Sequence, residues 1–174
     1  MTAVLPHYRQ GPANYQVSTL VIGGQLVCPT TLTAGTTDLT VKPATNATPA
    51  EAGAVLGVAG KDANVLATQL GTVNVYGQTG IDISVLDDFT SVYFGGVDIF
   101  VWYSAACTQG SLLIVSGTNG TVGPAPVSAS WALTTPPLIV GRCTQPGGVT
   151  GGQLTQAIGG LGAASFFLGR ARIF

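Results

Sequence analysis

Charged side chains are the scarcest feature of this chain of 174 residues. Only 7% of the residues are Asp, Glu, Lys or Arg, against about 25% in an average soluble domain. A compact monomer of 17.5 kDa would expose roughly 7,900 Å², which corresponds to one charged side chain per roughly 600 Å² of surface. Free protein surfaces carry charge much more densely. We therefore expect copies of the chain, or a larger assembly, to cover much of this surface in the working state.

Groups that perform catalysis are equally scarce. The single histidine, His7, lies in an N-terminal segment where a catalytic base could not be held rigidly. The motifs GxSxG and HExxH are absent, and the one acidic pair, Asp87-Asp88, has no third ligand or positioned partner nearby. The glycine-rich run 53–62 lacks the spacing of a phosphate-binding P-loop. We predict that the protein is not an enzyme and uses no metal or cofactor.

Cysteines with the spacing of a metal site or redox motif are also lacking. Cys28, Cys107 and Cys143 are far apart in the sequence, and no CxxC pair occurs. The favoured interpretation is three buried free thiols in a reducing cytoplasm. A disulfide that leaves one thiol free is the alternative, and a structural zinc site is disfavoured.

Segments that would direct the chain to a membrane are missing from the sequence. No run approaches the roughly 20 apolar residues of a spanning helix, and the first 16 residues contain no apolar signal core. The net charge of −1 gives no electrostatic reason to bind nucleic acid. We therefore expect a protein made in the cytoplasm that binds neither membranes nor nucleic acid.

Glycine, proline, threonine and valine dominate what is present. The chain has 25 Gly and 10 Pro, which favours short strands separated by tight turns. Alternating or continuous apolar runs predict eight to ten strands, and hence an all-β, compact sandwich or barrel. The predicted strands include 17–27 with a bend at Gly23-Gly24, 39–41, 51–62, 72–76, 81–85, 97–103, 111–115, 127–133, 138–143 and 165–174.

The run 97–116 is the predicted centre of the core. Residues 97–103 and 111–115 are strand-like, and the small, polar segment between them ends in Gly110. This pattern predicts a β-hairpin. Because residues 99–103 are apolar at every position, both faces of that strand should be covered. The following segment, 117–126, is predicted to be a loop with a tight turn at Asn119-Gly120.

Two further stretches have a predicted structural role. The glycines of the run 53–60 should let a neighbouring strand approach closely. In the closing strand, Arg170 and Arg172 should share one face, opposite Gly169, Ala171 and Ile173. That arginine face fits a solvated or interface-pairing surface better than a phosphate site.

The first 16 residues are predicted to be an extended arm, followed by a single β-rich domain over 17–174. The arm contains two prolines and little that could form a regular element. Its apolar and aromatic side chains favour contact with a partner over a free tail. The candidate contact residues are Val4, Leu5, Tyr8, Arg9 and Tyr15.

The run GAVLGVAGKDA at 53–63 resembles head decoration, or capsid-cement, proteins of tailed bacteriophages. The later order is similar too: aromatic strand, Gly-Thr-Asn-Gly turn, a strand ending in Gly-Arg, a glycine-rich loop and a closing strand. The resemblance implies a β-tulip-type domain that forms homotrimers on the outer surface of the virion head. The resemblance also implies that the arm anchors each copy to its partner, the major capsid protein. It implies no catalytic residues.

Two alternatives remain open at this point. Another phage structural protein, such as a tail-tube or head–tail joining component, would form rings of six or more copies. A carbohydrate-binding or adhesin module would need an exposed aromatic platform. Trp102 lies inside an apolar run and is a poor candidate for that platform, and Trp131 is only slightly better.

Overall fold

The computed structural model describes residues 12–30, 40–63, 89–96, 98–127, 137–150, 155–156 and 166–174. The regular secondary structure of these residues is almost entirely β-strand, with one short helix, which confirms the predicted all-β class. The elements in chain order are β1 (Ala13–Val17), β2 (Leu26–Pro29), β3 (Thr40–Pro43), α1 (Pro49–Gly53), β4 (Gly57–Ala59), β5 (Phe89–Tyr93), β6 (Asp98–Tyr103), β7 (Leu112–Ser116), β8 (Thr121–Pro124), β9 (Gly141–Cys143), β10 (Thr155–Gln156) and β11 (Phe166–Ile173).

Five strands close into a first barrel in the order β1-β3-β2-β4-β5. Strand β1 completes the closure, because it pairs parallel with β3 and antiparallel with β5. A closed barrel has no free strand edge, so all its backbone hydrogen-bonding groups can be satisfied within the ring. Small β-branched and alanine side chains fill one of its clusters: Val17, Val21, Val27, Val41, Ala59, Ala63 and Val92.

The other six described strands form a second sheet in the order β10-β11-β6-β8-β7-β9. Strand β9, at one end, also pairs antiparallel with β11. The pairings of β11, β6, β8, β7 and β9 therefore make a second closed circuit, with β10 attached to the start of β11. The predicted compact, barrel-like architecture is present twice.

The two barrels share the largest hydrophobic cluster. Leu26, Cys28 and Val58 from the first barrel pack in one cluster with Val101 and Tyr103 from the second. Tyr103 is fully buried, and its hydroxyl donates a hydrogen bond of 2.9 Å to the carbonyl oxygen of Arg170. One continuous core therefore holds the two barrels against each other.

Trp102 is a major link between the barrels. Its indole N–H donates to the carbonyl oxygen of Gly23 at 2.8 Å, and its backbone N–H donates to that of Gly24 at 3.2 Å. Gly24 has a φ of 90°, a left-handed conformation that side chains disfavour. The predicted bend at Gly23-Gly24 is thus confirmed, and it is what brings this backbone onto the tryptophan.

The predicted hairpin over 97–116 is wrong. Strand β8 lies between the two strands, pairing parallel with β6 and antiparallel with β7. It occupies residues that were predicted to be loop, because Thr121-Val122-Gly123 is too short and too poor in large side chains to stand out in the sequence. The tight turn before it is confirmed, with Gly120 at a φ of 63°.

The predicted burial of β6 is correct for only half of the strand. Val101, Trp102 and Tyr103 are buried, whereas Phe100 is 51% exposed. The first half of the strand therefore keeps one face open to solvent, although the apolar run predicted cover on both sides.

The predicted strand 17–27 is wrong for residues 18–25, which connect β1 to β2, whereas the predictions for β11 and for Gly57 agree with the structure. In β11, Gly169, Ala171 and Ile173 are buried, while Arg170 and Arg172 are exposed on the opposite face. Gly57 allows the predicted close approach, because a Cβ there would overlap the carbonyl oxygen of Tyr93 on β5. The prediction placed no helix at 49–53, where Thr48 caps α1 by accepting a hydrogen bond from the Glu51 N–H at 3.2 Å.

The boundary of the predicted arm lies inside the first barrel. Strand β1 begins at Ala13, so residues 13–16 form part of the folded domain and not of an arm. The sequence does carry a signal for this strand, because the less exposed Ala13, Tyr15 and Val17 alternate with the exposed Asn14 and Gln16, but the predicted arm boundary cut through it. The predicted strands at 72–76 and 81–85, and residues 128–133 of another, lie outside the described residues; Val127 is an exposed loop residue.

Candidate interaction surface

The outer face of β6 and β11 carries the most distinctive side chains of the described surface. Their antiparallel register sets Asp98 opposite Arg172, Phe100 opposite Arg170, and Trp102 opposite Leu168. Because side chains alternate along a strand, these three pairs share one face of the sheet. The intervening residues, such as Val101, face the core.

A groove lies where this face meets the first barrel, and we call it the aromatic groove. Its volume is about 550 Å³, within the range of ligand sites in proteins. Residues from both barrels line it, and they combine aromatic rings with the glycine backbone of the first barrel. They are Gly23, Gly24, Ala59, Gly60, Tyr93, Asp98, Ile99, Phe100, Trp102 and Leu168.

The rings of the groove differ in exposure. Trp102 is 5% exposed and forms its floor, whereas Tyr93 and Phe100 are 36% and 51% exposed. A Cβ at Gly60 would lie 2.5 Å from Cε2 of Tyr93, so glycine at this position leaves the space that the ring occupies. Two aromatic side chains are therefore available to a partner above a buried indole.

Three arginines line the outer face beside this groove, and we call Arg142, Arg170 and Arg172 the arginine row. Arg172 forms a two-pronged ion pair with Asp98, with N–O distances of 3.3 and 3.2 Å. The guanidinium of Arg170 lies over the ring of Phe100, 5.7 Å from its centre. Arg142 on β9 is directly opposite Arg172 in the β9–β11 register. The row thus contains three cations, of which Arg172 is paired with the carboxylate of Asp98.

A second apolar patch lies near the C-terminal end of β11. Leu138 and Phe174 are 48% and 65% exposed. They border a small cleft of about 120 Å³, which α1 and Val140 also line. The Phe174 N–H donates to the carbonyl oxygen of Val140 at 3.0 Å, which fixes the backbone that presents this aromatic ring.

The three cysteines are buried and free, as the favoured interpretation predicted. Burial raises the pKa of Cys28, although nearby Lys42 opposes that shift. Burial, followed by the neighbouring Cys143, raises the pKa of Cys107 to about 11. Neutral thiols of this kind behave as small apolar side chains rather than as nucleophiles.

One ion pair connects α1 to the first barrel. Lys42 Nζ lies 2.9 Å from Glu51 Oε1, and this hydrogen bond lowers the pKa of Glu51 and raises that of Lys42. Both side chains are partly exposed, so the pair orients the helix more than it stabilises the fold.

Of the predicted contact residues of the arm, only Tyr15 is among the residues that the structure describes. Val4, Leu5, Tyr8 and Arg9 lie outside the described residues. Tyr15 is half-buried in β1 and packs edge-to-face on Phe94, with 6.2 Å between ring centres. It belongs to the barrel, and its contact with a capsid stays a prediction.

The most exposed groove residues were not found from the sequence. Tyr93 lies in β5, which was not among the predicted strands, and Phe100 was assigned to the core because its whole run is apolar. Arg170 and Arg172 were correctly placed on one face. The third member of the row, Arg142, is in a predicted strand, but its position depends on the pairing of β9 with β11.

Some kinds of site are not found in the part of the chain that the structure describes. Among these residues, no three His, Cys, Asp or Glu side chains gather where they could hold a metal ion. The described helix is too short to cross a membrane. No family model matches the sequence, and neither the curated proteins nor the solved structures contain a match.

Proposed function

We propose that this protein is a structural virion protein, a capsid decoration protein that binds the outer surface of a phage head as trimers. The observation that carries the proposal is the abundance of exposed apolar side chains on a domain with very little charge. Six large apolar residues of the described surface are at least about one-third exposed: Phe89, Tyr93, Phe100, Val127, Leu138 and Phe174.

Such a surface is suited to summing burial over many contacts. Each square ångström of apolar area removed from water contributes about 25 cal/mol, less the cost of ordering. A surface with 7% charged residues avoids most of the free-energy cost of desolvating ions. The resemblance of the run 53–63 to head decoration proteins supports the same function.

Light scattering of the purified protein tests the self-association in this proposal. We expect a mass of three chains, each of 17.5 kDa. Phe174→Asp and Phe100→Asp should lower that mass if these side chains lie between copies, whereas Thr118→Asp, on an exposed turn, should not. A mass of six or more chains would instead favour a tail-tube or joining ring. A monomer at all concentrations would contradict trimer formation.

Carbohydrate binding is the second candidate function, and the aromatic groove favours it specifically. Tyr93 and Phe100 present two partly exposed rings beside Asp98 and Arg172, which can hydrogen-bond hydroxyl groups. Screening the protein against a set of neutral oligosaccharides tests this function. Binding by a monomeric protein, lost in Phe100→Ala, would favour it over decoration.

A further inference from the structure

The arginine row concentrates positive charge in a chain that has little. Three of the chain's six Lys and Arg residues belong to it. All three are exposed, and the one carboxylate paired with them in the register is Asp98. On β6, β9 and β11 this face carries three guanidiniums and one carboxylate, an excess of two positive charges. A second carboxylate, that of Asp62, accepts a hydrogen bond of 2.7 Å from the N–H of Gly23 in the groove lining.

The cross-strand arrangement costs stability in the isolated chain. Arg142 and Arg172 are directly opposite each other on β9 and β11. Like charges in directly opposed positions of an antiparallel pair are destabilising. Asp98 bonds Arg172 from the other side, and among the described residues no carboxylate forms such a pair with Arg142. An incoming anion between the two guanidiniums would relieve this repulsion.

An apolar surface adjoins the cations. Arg170 lies over Phe100, and Phe100 is half-exposed at the aromatic groove. A ligand that satisfies both features needs anionic groups that arginine can bind in two-pronged fashion, as carboxylates do. It also needs apolar side chains within reach of the groove.

We propose that the arginine row and the aromatic groove together bind an extended acidic segment of a protein partner, in which carboxylates and apolar side chains occupy every second position and therefore share one face of the segment. The carboxylates pair with Arg142 and Arg172, while an apolar side chain contacts Phe100. Charge complementarity selects this partner. The inference rests on the proposed function in that the partner is taken to be the capsid protein.

A polypeptide fits the surface better than a nucleic acid does. The chain has a net charge of −1, and Asp98 projects into the row itself. A phosphate backbone would meet that carboxylate and gain little from the field of the whole protein. A peptide can place its carboxylates singly between arginines and present an apolar group to the groove.

Binding of a synthetic peptide tests the inference directly. The probe is a labelled ten-residue peptide with Glu or Leu at every second position and Ser between them, so that Glu and Leu share one face when the peptide is extended. It is compared with a peptide in which Gln replaces Glu, by fluorescence anisotropy in low salt. We expect the Glu peptide to bind and the Gln peptide to bind at least about tenfold more weakly, with an affinity that falls as salt rises. Equal binding of the two peptides, or no binding of either, would overturn the proposal.

Variants of the row separate a specific site from a general charge effect. R142Q with R172Q should weaken binding of the Glu peptide about tenfold. R142Q alone should weaken it more than K42Q, the matched control that also removes one cation but lies outside the row and should change binding less than twofold. D98N should strengthen binding, because it removes the carboxylate that competes for Arg172. A decrease in D98N, or equal losses in the row and control variants, would contradict the site.

Two further arms distinguish this inference from the proposed function. A labelled ten-nucleotide oligothymidylate that bound as well as the Glu peptide would overturn the choice of a protein partner. If wild-type protein and R142Q/R172Q decorate phage heads equally, the site is wrong and the function stands. If the Glu peptide binds wild type but no protein adds to heads, the function is wrong and the site stands.

Discussion

Replacing Trp102 tests whether it holds the two barrels together. Trp102 is only 5% exposed. Its indole N–H donates a hydrogen bond of 2.8 Å to the carbonyl oxygen of Gly23, on the side of the first barrel. Truncating a buried Trp to Ala costs about 3–5 kcal/mol of unfolding free energy. For a chain of this length, 1 kcal/mol corresponds to about 2–4 °C in Tm. We therefore expect Trp102→Ala to lower Tm by on the order of 10 °C.

Two further variants show how much of this loss comes from the indole hydrogen bond and how much any aromatic residue of the strand would cost. Trp102→Phe keeps an aromatic ring but removes the indole N–H, which should cost about 1–2 kcal/mol from the lost hydrogen bond and a small cavity. Phe100→Ala, two residues away on the same strand, should cost about 1 kcal/mol or less because the side chain is already 51% exposed.

Urea unfolding followed by circular dichroism measures all three variants, at one protein concentration because association would add stability. The order of destabilisation should be Trp102→Ala, then Trp102→Phe, then Phe100→Ala. A cost below about 1 kcal/mol for Trp102→Ala, or a larger cost for Phe100→Ala, would refute the assignment of Trp102 as the link.

Further predictions concern strand packing and thiol titration. Gly57→Ala should lower the free energy of unfolding by about 1–3 kcal/mol, because its Cβ would overlap the backbone of Tyr93. Gly53→Ala is the control, since its Cβ would meet only a Leu138 methyl at 3.3 Å. It should change the free energy of unfolding in urea by less than about 0.5 kcal/mol. The pKa of Cys107 is raised from 9.0 to about 11, so the unfolded thiol ionises first and stability should fall between these pH values. Cys107→Ala should flatten this part of the pH profile, and an unchanged profile would contradict the shift.

Local sequence pattern was enough to predict the class and several strands. The closing strand β11 alternates small buried residues with arginines, and this alternation is readable without knowing its neighbours. The glycines at 57 and 60 likewise signalled close packing before their neighbour, Tyr93, was known.

Strand pairing could not be predicted from local pattern. The parallel contact of β6 with β8 joins Tyr103 to Val122, and it displaces the hairpin that consecutive strands would otherwise form. The three residues Thr121, Val122 and Gly123 are all buried, yet they carry too little apolar surface to be recognised in isolation. Long-range packing decides such pairings.

The candidate surface could likewise be predicted where it follows from one strand, but not where it depends on strand pairing. The shared face of Arg170 and Arg172 follows from strand alternation alone. The alignment of Arg142 with Arg172 requires the closure of the second barrel, and the exposure of Phe100 requires knowing which neighbours leave its face uncovered. Neither is encoded within a single strand.

Adding the purified protein to phage heads that lack it tests the proposed decoration function most directly. Heads of the phage that the proposed function implies, prepared without the protein, are mixed with it, sedimented and then heated. The proposed function predicts that the protein sediments with the heads, saturates at a multiple of three copies per site, and raises the temperature at which the heads release their DNA. Protein that stays in the supernatant, with no change in that temperature, would contradict it.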